Sequence, residues 1–155
     1  MSINVKQGNL FENLEAGCII PHCVNDLSPG VFGSGFAAAI NKHLGPKPRE
    51  MYMGWSLNNN YRLGSVGYVH VDHEVGKIVV AHMWAQHQTI RENAKPVRYA
   101  ALVKCMEDVA VTARNFDRKI ICPWFCAGLA RGNKEFVKEL IQEIWIDLDV
   151  TVWEY

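Results

Sequence analysis

The sequence predicts an α/β protein with a largely parallel or mixed sheet and helices packed on its faces. Two observations carry this. Short apolar, strand-like runs alternate with amphipathic helical runs along all 155 residues, and no repeat, low-complexity tract or linker interrupts the alternation. The composition, 49% hydrophobic and 21% charged, supplies enough apolar material for one core, so the chain is expected to form a single domain, 1–155.

The elements follow in order. Residues 3–6 form a short first strand. Residues 18–24 (Cys18-Ile19-Ile20-Pro21-His22-Cys23-Val24) read as a buried strand, in which Pro21 points to an irregular or edge position, because proline cannot donate to a ladder. Residues 25–32 collect Asn, Asp, Ser, Pro and Gly and read as a loop. Gly33-Ser34-Gly35 then opens a helix over 36–43, ended by Gly45-Pro46. A second short helix falls at 48–55. Two strands, 65–71 and 77–83, flank an Asp72–Gly76 turn. After a polar stretch, 86–95, a long helix runs over 97–115, with Ala101, Cys105, Val109 and Ala113 on one face. Residues 119–123 make a short apolar strand and 125–132 a loop of small residues. The helix at 134–145 buries Val137, Leu140, Ile141 and Ile144, and residues 150–153 form the last strand.

Charge narrows the choice of partner. Lys plus Arg and Asp plus Glu both number 16, and no basic stripe is visible, which argues against nucleic acid as the main partner. No apolar stretch approaches membrane-spanning length and the N-terminus has no secretory pattern, so a cytoplasmic protein without membrane partners is expected. The five cysteines are odd in number and sit mostly in apolar runs. They read as reduced and buried. No set of Cys and His completes a four-ligand metal site, and none is expected.

Two loops carry chemistry. The first, 25–36, leads from a strand end into a helix, and Gly30, Gly33 and Gly35 let its backbone approach a ligand. The free N–H groups and positive dipole end of the following helix suit a phosphate. The second, Phe125-Cys126-Ala127-Gly128-Leu129-Ala130-Arg131-Gly132, repeats the strand–loop–helix layout. Together they predict a small phosphorylated nucleotide held by two ends of a diphosphate. There is no Walker A sequence. Gly33-Ser34-Gly35-Phe36-Ala37-Ala38 matches a partial dinucleotide fingerprint, but the preceding loop is too long and no acid-ended strand follows, so a hydride-transferring dehydrogenase is disfavoured.

Several segments in order resemble a macrodomain: Gly8-Asn9-Leu10-Phe11, His22-Cys23-Val24-Asn25-Asp26, Gly33-Ser34-Gly35-Phe36-Ala37, Pro123-Trp124-Phe125-Cys126-Ala127-Gly128-Leu129-Ala130 and Val150-Thr151-Val152-Trp153-Glu154. They are most similar to the branch of the yeast-type ADP-ribose 1''-phosphate phosphatase and the terminal ADP-ribose protein glycohydrolase. Lys95-Pro96-Val97-Arg98-Tyr99 is also similar to that branch. The resemblance implies a three-layer α/β/α sandwich with a mixed, mostly parallel sheet, and ADP-ribose or a derivative as ligand, with no cofactor.

Carried over position by position, Asn9, next to Gly8, stands where the family has an adenine-reading Asp, and Leu10 packs on the adenine. The strand end Cys23, Val24 and Asn25 meets the ligand, with Asn25 orienting ribose hydroxyls and Asp26 helping or capping the loop. Val31, Phe32, Gly33, Ser34, Gly35 and Phe36 wrap the diphosphate and distal ribose. Phe125, Cys126, Ala127, Gly128, Leu129, Ala130 and Arg131 close over the phosphates. Trp153 or Tyr155 lies against the adenine, with core packing the alternative for Trp153.

Two departures bear on the reaction. Ala130 replaces the Asp of the glycohydrolase branch, and no Lys occurs from His82 to Gln88, which disfavours a lysyl intermediate. Cys126 also replaces the first Gly of the second loop. Hydrolysis of ADP-ribose 1''-phosphate is the leading reading, with His22 and His82 as candidate proton donors or acceptors and Glu92 as a further candidate. The alternatives are a reader of free or protein-linked ADP-ribose, which brings an ADP-ribosylated protein as partner, and a hydrolase acting on modified side chains.

Overall fold

A computed structural model describes residues 3–58, 61–87, 96–128 and 131–155. Among the described residues six strands form one sheet: β1 (Asn4–Gln7), β2 (Ile19–Asn25), β3 (Val66–His73), β4 (Gly76–Gln86), β5 (Ile120–Cys122) and β6 (Val150–Glu154). Their spatial order is β1-β6-β5-β2-β4-β3. All neighbours run parallel except β3, which pairs antiparallel with β4 at the edge. The α-helices of the described residues, α1 (Gly35–Leu44), α2 (Lys47–Trp55), α3 (Tyr99–Asn115) and α4 (Lys134–Ile144), cover the two faces, giving the expected three-layer α/β/α sandwich.

Side-chain alternation along each strand builds two apolar layers. From β2, Ile19 faces the α3/α4 layer, while Ile20 and Val24 face the α1/α2 layer. β4 is buried without a break from Ile78 to Ala85, because helices cover both faces and strands flank both edges. It therefore runs three residues past the expected end at Met83. On α3, Leu102, Cys105, Met106 and Val109 are fully buried, and Trp145 donates its indole N–H to the Met106 carbonyl at 2.8 Å. α4 presents Val137, Leu140 and Ile141 to the same layer.

Two sequence expectations are corrected here. Pro21 does not mark an edge: β2 lies in the middle of the sheet, between β5 and β4. The Ile19 N–H points to β5, donating to Lys119, and residues two apart share a side, so the missing Pro21 donor also faces β5. There the ladder holds only the Ile19–Ile120 pair and stops where the Pro21 donor is missing, although β5 goes on pairing with β6 as far as Cys122. The cysteines are also not uniformly reduced. Cys23 and Cys126 form a disulfide across 103 residues of sequence, with Cα atoms 5.9 Å apart. Cys18, Cys105 and Cys122 are free and buried. The bridge removes the basis for reading a reducing compartment from the cysteines. Among the described residues no helix is long and apolar enough to cross a membrane.

Candidate functional site

β2 and β5 are neighbours, but the chain leaves β2 towards α1 on one face and β5 towards α4 on the other. Adjacent strands whose connections part in this way leave a crevice at their carboxyl ends. A cleft of about 650 Å³ lies there. The β2 end (His22 to Asn25), the first loop and the start of α1 (Val31 to Ala37), and Phe125, Cys126 and Gly128 of the second loop all line it. The structure thus brings both glycine-containing loops to one rim of the sheet.

The first loop is held open by a polar knot beneath it. The Asn25 side chain accepts from the Leu27 N–H at 3.0 Å and donates to the Val31 carbonyl at 3.0 Å. The Tyr52 hydroxyl donates to the Asn25 carbonyl at 2.9 Å, lies 3.0 Å from Asn25 Oδ1, and accepts from the Val31 N–H at 3.3 Å. Burial pushes this hydroxyl up to about 12, so it stays a donor. Gly30 donates its N–H to Ser56 Oγ at 2.8 Å, and a Cβ at Gly30 would fall on the Tyr52 ring. Asn25 therefore borders the cleft with its amide engaged in shaping the loop, where the sequence reading has it orienting ribose hydroxyls. Asp26 ties two strand ends together: its N–H donates to Gln86 and its carboxylate meets His87 Nδ1 at 2.7 Å.

α1 starts at the cleft with open donors. Ser34 is its N-cap, but its side chain caps nothing, and the N–H groups of Gly35, Phe36 and Ala37 precede the first intrahelical bond. Gly35 takes φ +60°, which a side chain would resist. The second helix differs. Asn133 caps α4 by accepting from the Phe136 N–H at 3.1 Å, and the α4 end does not border the cleft. The second loop instead presents its turn, closed by Arg131 N–H to Gly128 and Gly132 N–H to Cys126. Cys126 sits at φ +60°, the left-handed region where the resemblance has a glycine.

His22 and His82 are register partners on β2 and β4, facing α1 and α2. The His82 ring lies 2.8 Å from the Pro48 carbonyl through Nε2 and 2.7 Å from His22 Nε2 through Nδ1. His82 is fully buried and does not border the cleft, so its position does not offer proton exchange with a ligand. Burial, and for His22 also the neighbouring ring, lowers both from their ordinary value: His22 well below it, His82 to about 4. Both rings are neutral at physiological pH.

The adenine-side residues lie elsewhere. Asn9 Oδ1 accepts from the Phe11 N–H at 2.9 Å and starts a single 3₁₀ turn, Leu10–Glu12. Leu10 is buried in the α1/α2 layer, and Trp153 packs partly buried against the same layer and over Gly8. Gly8, Asn9, Leu10, Ala127, Arg131 and Trp153 do not border the cleft. Leu129, Ala130 and Glu92 lie outside the described residues.

Sequence reasoning passed over Gln86, Pro96, Pro123 and Trp124 as lining residues. Gln86 and Pro123-Trp124 sit at the ends of β4 and β5, where the strand-end rule applied to every strand finds them. Trp124 is fixed in place: its indole N–H donates to Glu154 at 2.8 Å, and Lys134 Nζ sits 5.2 Å from the ring centroid. Among the described residues, no ionised side chain lines the cleft, and no group of three or more His, Cys, Asp or Glu could hold a metal ion.

No protein-family model matches the chain, and no curated protein matches it. Solved structures do. A protein of unknown function from Bacteroides thetaiotaomicron superposes with a TM-score of 0.87 at 28% identity, over 100% of this chain and 99% of that one. A macrodomain protein from Streptomyces coelicolor gives 0.79 at 28% identity, over 99% of both chains. DarTG from Thermosipho africanus, solved in complex with ADP-ribose, gives 0.76 at 12% identity, over 97% of this chain and 41% of that one. The fold is that of macrodomains.

Proposed function

We propose that this chain is a macrodomain that binds ADP-ribose in the cleft between the β2–α1 and β5–α4 loops. One observation carries the reading: the uncapped first turn of α1 opens into a cleft of about 650 Å³ at the point where the β2 and β5 connections part. A diphosphate there is met by main-chain N–H groups and the positive end of the helix rather than by a cation. The apolar share of the lining, with Phe32, Phe36, Trp124 and Phe125, suits a sugar and a flat base. The ligand of the DarTG complex has this chemistry. Titration calorimetry with ADP-ribose tests the reading; no heat of binding at millimolar ligand rejects it.

A second reading is hydrolysis of ADP-ribose 1''-phosphate. It is favoured by His22, the one lining residue among those described whose side chain can exchange a proton near the ligand. In this reading His22 accepts a proton from the attacking water while loop amides hold the phosphate. Phosphate release by the wild type, lost in His22→Ala at substrate concentrations that saturate the variant, supports it. Binding without phosphate release leaves the chain a reader of ADP-ribose.

A further inference from the structure

The hydrogen bonds around the two histidines have only one consistent direction. The Pro48 carbonyl can only accept, so the ring nitrogen 2.8 Å from it, His82 Nε2, carries the proton. A neutral imidazole holds one N–H, which makes His82 Nδ1 a bare lone pair. The nitrogen facing it at 2.7 Å, His22 Nε2, must then be the donor. His22 Nδ1 is left as the acceptor. No partner meets it among the described residues, and none of their side-chain N or O atoms is both sealed from solvent and unpaired. His22 is all but buried, at 2% exposure, and lines the cleft, so the little access its Nδ1 keeps is from that side.

We infer that His82, anchored on Pro48, is a positioning residue that holds His22 in the Nε2–H tautomer, and that the lone pair thereby turned to the cleft selects a ligand hydroxyl. This rests on the ADP-ribose reading and names the group recognised. A neutral lone pair repels phosphate or carboxylate oxygens and accepts from an O–H. The ring packs against Phe32 and Phe36, at 5.7 and 5.9 Å between centroids. Phe32 of the first loop and Phe36 of the first turn of α1 stand beside the open amides that meet the diphosphate in the ADP-ribose reading, so the donor is a hydroxyl of a sugar attached to it, assigned here to the distal ribose.

The test uses the full chain in three forms: wild type, His82→Leu and His82→Gln. Leu removes the acceptor for His22 Nε2–H. Gln restores it, since its amide offers one acceptor and one donor as neutral His does. Imidazole nitrogen NMR of the wild type is expected to show Nε2 protonated and Nδ1 bare on both His22 and His82. His82→Leu loses this pattern at His22, and His82→Gln keeps it. Calorimetry with ADP-ribose and with ADP, which lacks the distal ribose, is expected to give about tenfold tighter binding of ADP-ribose in the wild type and His82→Gln, and little preference in His82→Leu. A wild-type His22 protonated on Nδ1, or an equal preference in all folded forms, overturns the inference. The wild-type spectrum decides the tautomer even if His82→Leu fails to fold. A wild type with the expected tautomer that binds no ADP-ribose overturns the functional reading and the hydroxyl contact, but not the tautomer assignment.

Discussion

Cys23, two residues before the end of β2, is bonded to Cys126, in the loop after β5, and both line the cleft. The bridge spans the divide between the two connections and fixes the distance between the two loops that frame the site. Cys126 itself sits at φ +60°, where a non-glycine residue is strained.

A closed loop of 103 residues constrains the unfolded chain strongly. Opening the bridge with a dithiol, or with Cys23→Ser, is expected to cost about 2–4 kcal/mol of stability. Denaturant melts with and without dithiol check this. The wild type should shift and Cys23→Ser should not respond. ADP-ribose affinity should fall with the bridge, because the second loop loses its tie to β2.

Gly30 lies against the face of Tyr52, with no room for a side chain. Gly30→Ala must push the Tyr52 ring aside and break the bonds that the hydroxyl makes to Asn25 and Val31. Overpacking of this kind costs about 1–3 kcal/mol. Tyr52→Phe isolates the polar part: it leaves the ring and orphans buried groups of the knot, for about 1–3 kcal/mol. Both should weaken ADP-ribose binding, since the loop they shape forms one wall of the cleft. Chemical denaturation and calorimetry on the two variants test this, and normal affinity in both would separate the knot from the site.

The pH dependence of stability should carry the mark of the histidine pair. His82 titrates near 4 in the folded chain against an ordinary value of 6.5, and His22 is lowered as well. As pH falls below 6.5 the unfolded chain takes up protons that the folded chain refuses. The contribution is therefore fully present above pH 6.5 and is lost as pH falls through 4. For His82 alone the loss amounts to about 3 kcal/mol at pH 4. Urea melts at stepped pH should show the midpoint falling over this window, and less steeply in His82→Gln.

The strand–helix order and both cleft loops were legible because each depends on local pattern: apolar runs, helix periodicity, glycines between a strand and a helix. What stayed hidden depends on register. His82 lies behind His22 only because the β2–β4 ladder pairs them, and nothing near either residue encodes that. The Cys23–Cys126 bond joins positions 103 residues apart, so the odd count of cysteines misled. Of the two readings of Pro21, the edge fails and the irregularity stands: β2 is central, but its ladder with β5 stops after Ile19–Ile120, where the donor is missing. Asn9, Leu10 and Trp153 come to the ligand only through the resemblance: in the structure Asn9 starts a 3₁₀ turn, and Leu10 and Trp153 pack in the α1/α2 layer.

The open first turn of α1 yields the most direct test of how a diphosphate is held. Ala37 lines the cleft and is the third residue of the helix, so its N–H has no intrahelical acceptor to lose. Proline is tolerated in a first turn, and Ala37→Pro removes that one donor while leaving the helix otherwise intact. If main-chain N–H groups of this turn bind the diphosphate, the lost charge-assisted bond costs about 1.5–3 kcal/mol, roughly ten- to a hundredfold in ADP-ribose affinity. Circular dichroism and a thermal melt close to the wild type would show that the helix still forms. Adenosine, which has no phosphate, should then be affected little, because its binding does not use the donor. Unchanged ADP-ribose affinity in a well-folded Ala37→Pro chain would mean that the phosphates lie elsewhere in the cleft, against the second loop.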